Sequence, residues 1–223
     1  VSAQVFVGLA FVVALAVGLP AVCWLRTHRY RLAEEADLPR RSHVWVAVVM
    51  PVAAVLAAAG VAGRWPWWVA VGPVLFVLGW MLAAGIDADV GRLPDALTLP
   101  LAGLALAWGL AFAWVFGNPD AAVRTVAGAV GMAAVYLALQ LLSRAIPPHQ
   151  EGIGSGDVKL ALSIGAVLGW FSWLGMWAAL LLAFVIGGVW GLALLVTRRA
   201  GRRDSFSFGP AMVLGAALAL VFA

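Results

Sequence analysis

Long apolar runs separated by short polar breaks make up nearly the whole chain. Eight such segments can be marked: Ser2–Leu25, Val44–Gly63, Trp67–Ile86, Leu97–Phe116, Thr125–Leu142, Val158–Trp173, Leu174–Val196 and Gly209–Ala223. Most approach the roughly 20 residues that a helix needs to cross a bilayer, and the sixth and eighth are shorter. No polar loop divides the sixth from the seventh, so "WFSW" at 170–173 has to supply the turn. The first segment has no small-residue cleavage signature and reads as a retained helix, not a signal peptide. The pattern predicts an all-α, polytopic integral membrane protein of about eight transmembrane helices. No internal repeat stands out, so residues 1–223 are expected to form one domain.

Composition sharpens this picture. Of 223 residues, 65% are hydrophobic and 11% charged, and the mean hydropathy is +1.03. A soluble domain carries about 25% charged residues, so lipid is the solvent for most of this chain. Many of the 12 tryptophans lie near segment ends, as interfacial anchors do. Cys23 is the single cysteine, which removes both a disulfide framework and a cysteine-ligated zinc site.

A net charge of +4 is compatible with a nucleic-acid partner, but the placement of the charges points elsewhere. If the segments all cross, one side receives 12 of the 14 basic residues: Arg26, Arg29, Arg31, Arg40, Arg41, Arg92, Arg144, Lys159, Arg198, Arg199, Arg202 and Arg203. The other receives Arg64 and Arg124. By the positive-inside rule the basic loops, 26–43, 87–96, 143–157 and 197–208, are cytoplasmic and both termini lie outside. Topology accounts for the arginines without a nucleic-acid partner.

Among the 10 acidic residues, Glu34, Glu35, Asp37 and Asp204 sit among arginines and read as solvated charges. Asp120 belongs to a "GNPD" turn. Two clusters remain on the basic side. "AAGIDADVGRLPDALTLPL" holds Asp87, Asp89 and Asp95, and "EGIGSGDVKL" holds Glu151 and Asp157. Asp87 closes the third segment and Asp157 opens the sixth. Taken singly, each acid has an ordinary reading: Asp157 and Asp95 as helix caps, Asp87 and Asp89 as the place where a helix meets water. As a pair, two aspartates at membrane depth can share a proton, one activating water and the other polarising a peptide carbonyl. Glycines beside one acid would let an extended chain approach closely.

Other chemistries fit less well. Ser155 near His149 lacks the strand-to-helix elbow of a serine nucleophile. His28, His43 and His149 are scattered without metal-ligand spacing. The glycine run lacks the ending of a phosphate-binding loop.

"GIDADVGRLPDALTLPL" and "GIGSGDVKLALSIGAVLGW", followed by "FSFGPAMVLGA" at 206–216, closely resemble the bacterial type IV prepilin peptidases. These are intramembrane aspartyl proteases with a Gly-x-Gly-Asp motif, and the three matches occur in family order from about residue 80 onward. The resemblance implies that Asp87 and Asp157 are the catalytic pair. Gly154, Gly156 and Lys159 would be motif residues, and Asp95 would support them. It implies cleavage of short basic leaders from pilin-like precursors, at the cytoplasmic face of the inner membrane, after a glycine that precedes the hydrophobic segment.

Longer family members carry a large first cytoplasmic loop whose two Cys-x-x-Cys pairs bind zinc and which is associated with methylating the new N-terminus. Here that loop is only 26–43 and has no cysteine. The expectation is proteolysis without a cofactor and without zinc. S-adenosylmethionine would matter only if methylation is retained. Two rivals belong to other classes: a transporter or proton or cation relay using the same aspartates, and an assembly protein that has lost activity.

Overall fold

The computed structural model describes residues 1–39, 41–145, 153–197 and 207–222. Among these described residues eight α-helices follow one another: α1 (Ala3–Leu25), α2 (Val44–Ala62), α3 (Trp67–Val90), α4 (Asp95–Val115), α5 (Pro119–Ala145), α6 (Ser155–Phe171), α7 (Trp173–Val196) and α8 (Gly209–Ala219). Six of them, all but α6 and α8, are long and apolar enough to cross a membrane. The protein is therefore an all-helical, polytopic membrane protein. The "WFSW" turn is a single residue. Ser172 is extended between α6 and α7, and its hydroxyl caps α7 by accepting from the Gly175 N–H at 2.9 Å.

Helix contact in lipid cannot rely on the hydrophobic effect, so close approach of small residues does much of the work. Helix α1 shows it in its buried stripe of Phe6, Ala10, Ala14, Gly18 and Val22, one residue per turn, with large aliphatics facing outward. Helices α5 and α6 run antiparallel in tighter contact. A methyl at Gly128, Gly165 or Gly169 would run into the facing backbone. At the far end of this pair, Arg124 donates to the Gly169 and Trp170 carbonyls at 3.2 and 3.1 Å, satisfying the C-terminus of α6.

Helix α3 is the most enclosed of the six spans. It packs on α1, α2, α4 and α8, while α6 packs on α4, α5, α7 and α8. One buried rung joins α3 to α6. Trp80 Nε1 donates to Ser163 Oγ at 2.8 Å, and Ser163 Oγ donates to the Leu101 carbonyl of α4 at 3.3 Å. Helix α8 packs against both.

Several boundaries differ from the sequence expectation. Helix α3 runs on through Asp87 to Val90, because Gly91 supplies the left-handed terminator (φ 70°) and its N–H closes on the Asp87 carbonyl at 2.8 Å. The loop expected at 87–96 therefore shrinks to 91–94, and Asp87 and Asp89 are helical. Helix α5 begins at Pro119, earlier than the expected Thr125, because Asn118 caps it through a 3.0 Å bond to the Ala121 N–H. Helix α6 starts at Ser155, so Asp157 is its third residue and not its first. Glu151, His149, Arg40, Arg198, Arg199, Arg202, Arg203 and Asp204 lie outside the described residues.

Candidate active site

The last turn of α3, the loop at 91–94 and the first turns of α4, α6 and α8 gather at one end of the bundle. Asp87 is 4% exposed and Asp157 6%, so neither marks a simple exit into water. Their carboxylates lie within electrostatic reach of one another. The two acids are thus brought to the same end of the bundle, on helices that meet mainly through their neighbours.

Each carboxylate is held by backbone. The Gly209 N–H, at the start of α8, donates to Asp87 Oδ2 at 2.9 Å, and the Ser207 hydroxyl donates to the same oxygen. A helix N-terminus is thereby aimed at Asp87, with its unpaired N–H groups and positive dipole end toward the acid. Close approach is possible because Gly209 has no side chain: a methyl there would stand 2.7 Å from Asp87 Oδ2. On the opposite side, Gly154 takes the N-cap of α6 and donates its N–H to Asp157 Oδ2 at 2.9 Å. Asp157 does fasten the start of α6, so its capping reading is part of the truth, but the cap position itself is glycine.

Gly156 abuts the loop after α3. A methyl on it would lie 2.6 Å from Leu93 Cβ and 3.2 Å from the Leu93 nitrogen. Gly154 is open by comparison, its nearest neighbour being Asp157 Oδ2 at 3.5 Å. The two motif glycines therefore differ: one lets α6 touch the Asp87-bearing hairpin, the other supplies a backbone donor. Asp95, at the first turn of α4, pairs with Lys159 of α6 at 2.5 Å. With Asp95 60% exposed, that pair contributes at most about 1 kcal/mol and serves to align α4 with α6. All six candidate residues therefore stand at this one end, and of their carboxylates Asp87 and Asp157 are the buried ones, each within reach of the other's charge.

Asp89 takes a role the sequence left open. Two residues on from Asp87 it points away from the pair, into the loop 26–43, and is buried. Arg31 clamps it with Nε at 2.9 Å and Nη2 at 2.8 Å, and the Tyr30 hydroxyl donates at 2.6 Å. His28 stands 3.4 Å from the same carboxylate. Glu35, expected to be solvated, instead pairs with Arg92 of the 91–94 loop. The hydrogen bond from Arg92 holds the Glu35 carboxyl below its usual range. Burial pushes His43 down, while burial and then the bond to Asp89 push the Tyr30 phenol up. The loop is thus strapped across the end of α3 at two points.

A metal centre needs several donor side chains gathered at one point. Among the described residues no three His, Cys, Asp or Glu side chains gather as metal ligands. The donors nearest to one, His28, Asp89 and His43, are engaged with Tyr30 and Arg31.

Ser207 and Gly209 were visible in the sequence only as part of "FSFGP", with nothing in their spacing to name Asp87 as their partner. The ion pair of Asp89 with Arg31 had no local signal, because it joins residues 58 apart.

The sequence is similar to those of known proteins. A prepilin leader peptidase/N-methyltransferase of Aeromonas salmonicida is 33% identical over 148 residues, 66% of this chain and 48% of that protein. One from Neisseria gonorrhoeae is 31% identical over 157 residues, 69% and 50% of the two chains. One from Burkholderia pseudomallei is 36% identical over 143 residues, 62% and 42%. The chain spans about half the length of the curated relatives it matches. No solved structure matches. Residues 74–192, from within α3 to within α7, match the type IV leader peptidase family and include both buried aspartates. With more than half of its residues inside that match, the chain belongs to the type IV leader peptidase family.

Proposed function

We propose that this protein is a prepilin leader peptidase that cuts pilin-like precursors by a two-aspartate mechanism. The observation that carries the reading is the convergence of Asp87 and Asp157, buried within electrostatic reach of each other on α3 and α6. Two carboxyl groups so placed titrate as a unit with one proton between them. The ionised member takes a proton from a water, whose oxygen attacks the scissile carbonyl carbon. The protonated member hydrogen-bonds the carbonyl oxygen and stabilises the tetrahedral intermediate. Collapse breaks the C–N bond, and the amine leaves with a proton returned by the pair. The N–H of Gly154 and the N–H of Gly209 fix one oxygen of each acid, so that little reorganisation is needed during the reaction.

The substrates are precursors with a short basic leader before a hydrophobic segment, and the site faces the cytoplasm from the inner membrane. The orientation rests on charge: Arg26, Arg29, Arg31, Arg41, Arg92, Arg144 and Lys159 belong to the aspartate end, Arg64 and Arg124 to the other. A relay or transport role has weaker support, because both acids lie in the end turns of their helices and not at mid-span. Proteolysis is proposed to need no metal or other cofactor. N-methylation is proposed to be absent, the loop 26–43 being held by ion pairs and lacking cysteine.

The test is co-expression with a pilin-like precursor. Asp87→Asn and Asp157→Asn should each abolish the mobility shift of processing while the protein still reaches the membrane. Normal processing by either variant overturns the mechanism. The mass of the mature N-terminus reports methylation in the same experiment.

A further inference from the structure

Tyr136 of α5 is fully buried, and its hydroxyl has no hydrogen-bond partner among the described residues. Such a group is anomalous. A buried hydroxyl that gives up water and gains nothing destabilises the fold, and phenylalanine would fill the same space without that penalty. Its neighbours locate the residue in the bundle. Met132, Tyr136 and Gln140 form one buried line along α5 at one-turn intervals. Met132 meets α6 at Gly165. One turn beyond Tyr136, the Gln140 side-chain oxygen reaches the Ser155 N–H at 2.9 Å in the amide orientation that satisfies both groups. Because the helices are antiparallel, Tyr136 falls opposite the first turns of α6, level with Asp157. Its ring is held by Phe184, with centroids 5.9 Å apart, and by Phe208 at 6.2 Å. Phe208 is the residue before Gly209, whose N–H holds Asp87. The ring therefore packs beside the start of α8, whose Gly209 N–H holds Asp87, and the charge of Asp157 reaches its hydroxyl.

We propose that the Tyr136 hydroxyl is a catalytic hydrogen-bond donor to the substrate, directed at the carbonyl oxygen of the scissile peptide as that oxygen gains negative charge. The inference rests on the leader-peptidase reading above and adds a second donor beside the protonated aspartate. Tyr136 keeps its proton throughout and forms no covalent bond. Its missing partner is supplied when the precursor enters, and this is why the resting protein tolerates the orphan.

The experiment uses the full chain in detergent micelles with a pilin-like precursor, comparing wild type with Tyr136→Phe. The expected result is a fall in kcat of about 100- to 1000-fold, the usual effect of deleting one donor to a developing oxyanion. KM should stay within about twofold, since the bond matters chiefly in the transition state. The thermal midpoint should not fall, because an unsatisfied hydroxyl has been removed. The pH dependence of kcat/KM should keep its shape. An unchanged kcat overturns the proposal, and so does a rise in KM alone. A displaced pH profile overturns it by showing that Tyr136 acts on the acids and not on the substrate. Loss of rate with a lowered midpoint overturns it in favour of a packing role. Asp87→Asn and Asp157→Asn are run beside it. If either of them processes normally, the two-aspartate reading itself has failed, a result separate from any seen with Tyr136→Phe.

Discussion

Gly156→Ala should slow leader cleavage about a hundredfold while leaving the amount of protein in the membrane near normal. The added methyl would stand 2.6 Å from Leu93 Cβ, with the Leu93 nitrogen at 3.2 Å and Cα at 3.3 Å. Carbon atoms settle at about 3.5–4.0 Å, so α6 and the 91–94 loop must part by about 1 Å. Overpacking of this kind typically costs about 1–3 kcal/mol, a partial loss that a bundle of eight helices can absorb. At the chemistry the same shift weighs more. Gly156 precedes Asp157 and Leu93 follows the helix that bears Asp87, so the strain separates the two acids. A misplacement of about 1 Å at a reacting centre can lower a rate by about two orders of magnitude. Gly154→Ala is the matched control. Its methyl would find only ordinary contacts, and the backbone there (φ −79°, ψ 159°) suits any residue. Leu93→Ala should not rescue Gly156→Ala, because alanine keeps the offending Cβ. Initial processing rates at matched protein levels decide the matter. Wild-type activity in Gly156→Ala, equal damage from Gly154→Ala, or rescue by Leu93→Ala would each refute the reasoning.

Gly209→Ala places a methyl 2.7 Å from Asp87 Oδ2 and should reduce processing by at least about a hundredfold. Ser207→Ala leaves the Gly209 N–H in place and should lose only about tenfold, as for one hydrogen bond to a charged group. Asp89→Asn leaves Arg31 without its counter-charge in a pair whose side chains are 0% and 5% exposed. It should destabilise the loop by about 3 kcal/mol, read as faster proteolysis within 26–43. Acid should loosen the same loop in two stages. Because burial depresses His43, its contribution is present above the ordinary histidine value of about 6.5 and is lost as pH falls through the lowered one. Glu35, also depressed, gives way only below the normal carboxylate range. Hydrogen exchange across 26–43, corrected for its intrinsic pH dependence, should rise below about pH 6.5 in the first stage; a flat profile there would contradict the assignment to His43.

The helices were legible because lipid demands long apolar runs, and the runs are punctuated by prolines, glycines and arginines. Their ends were less so. Asp87 and Asp89 look like the edge of a span to any hydropathy argument, yet Gly91 lets the helix continue until its own left-handed turn closes it. Asp87 and Asp157 could be paired through motif resemblance, since pattern alone leaves each a plausible cap. The partners of those acids were hidden for a different reason. Ser207 and Gly209 reach Asp87 across more than a hundred residues of chain, and Tyr136 looks like an ordinary membrane aromatic until its unsatisfied hydroxyl is seen. Contacts made by backbone N–H groups leave almost no trace in residue identity.

The Asp-Ala-Asp step at the end of α3 gives one helical turn two clients. In the proposed mechanism Asp87 serves the chemistry, while Asp89 anchors the 26–43 loop, and no hinge separates them. A chimera that exchanges this loop for a longer one from a relative would leave Asp89 buried without a cation unless the graft brings its own. The cheapest way for such a turn to relax is to unwind, which carries Asp87 with it. Loop and turn are therefore inherited as a matched set, and engineering of the first loop should begin by choosing the residue that will answer Asp89.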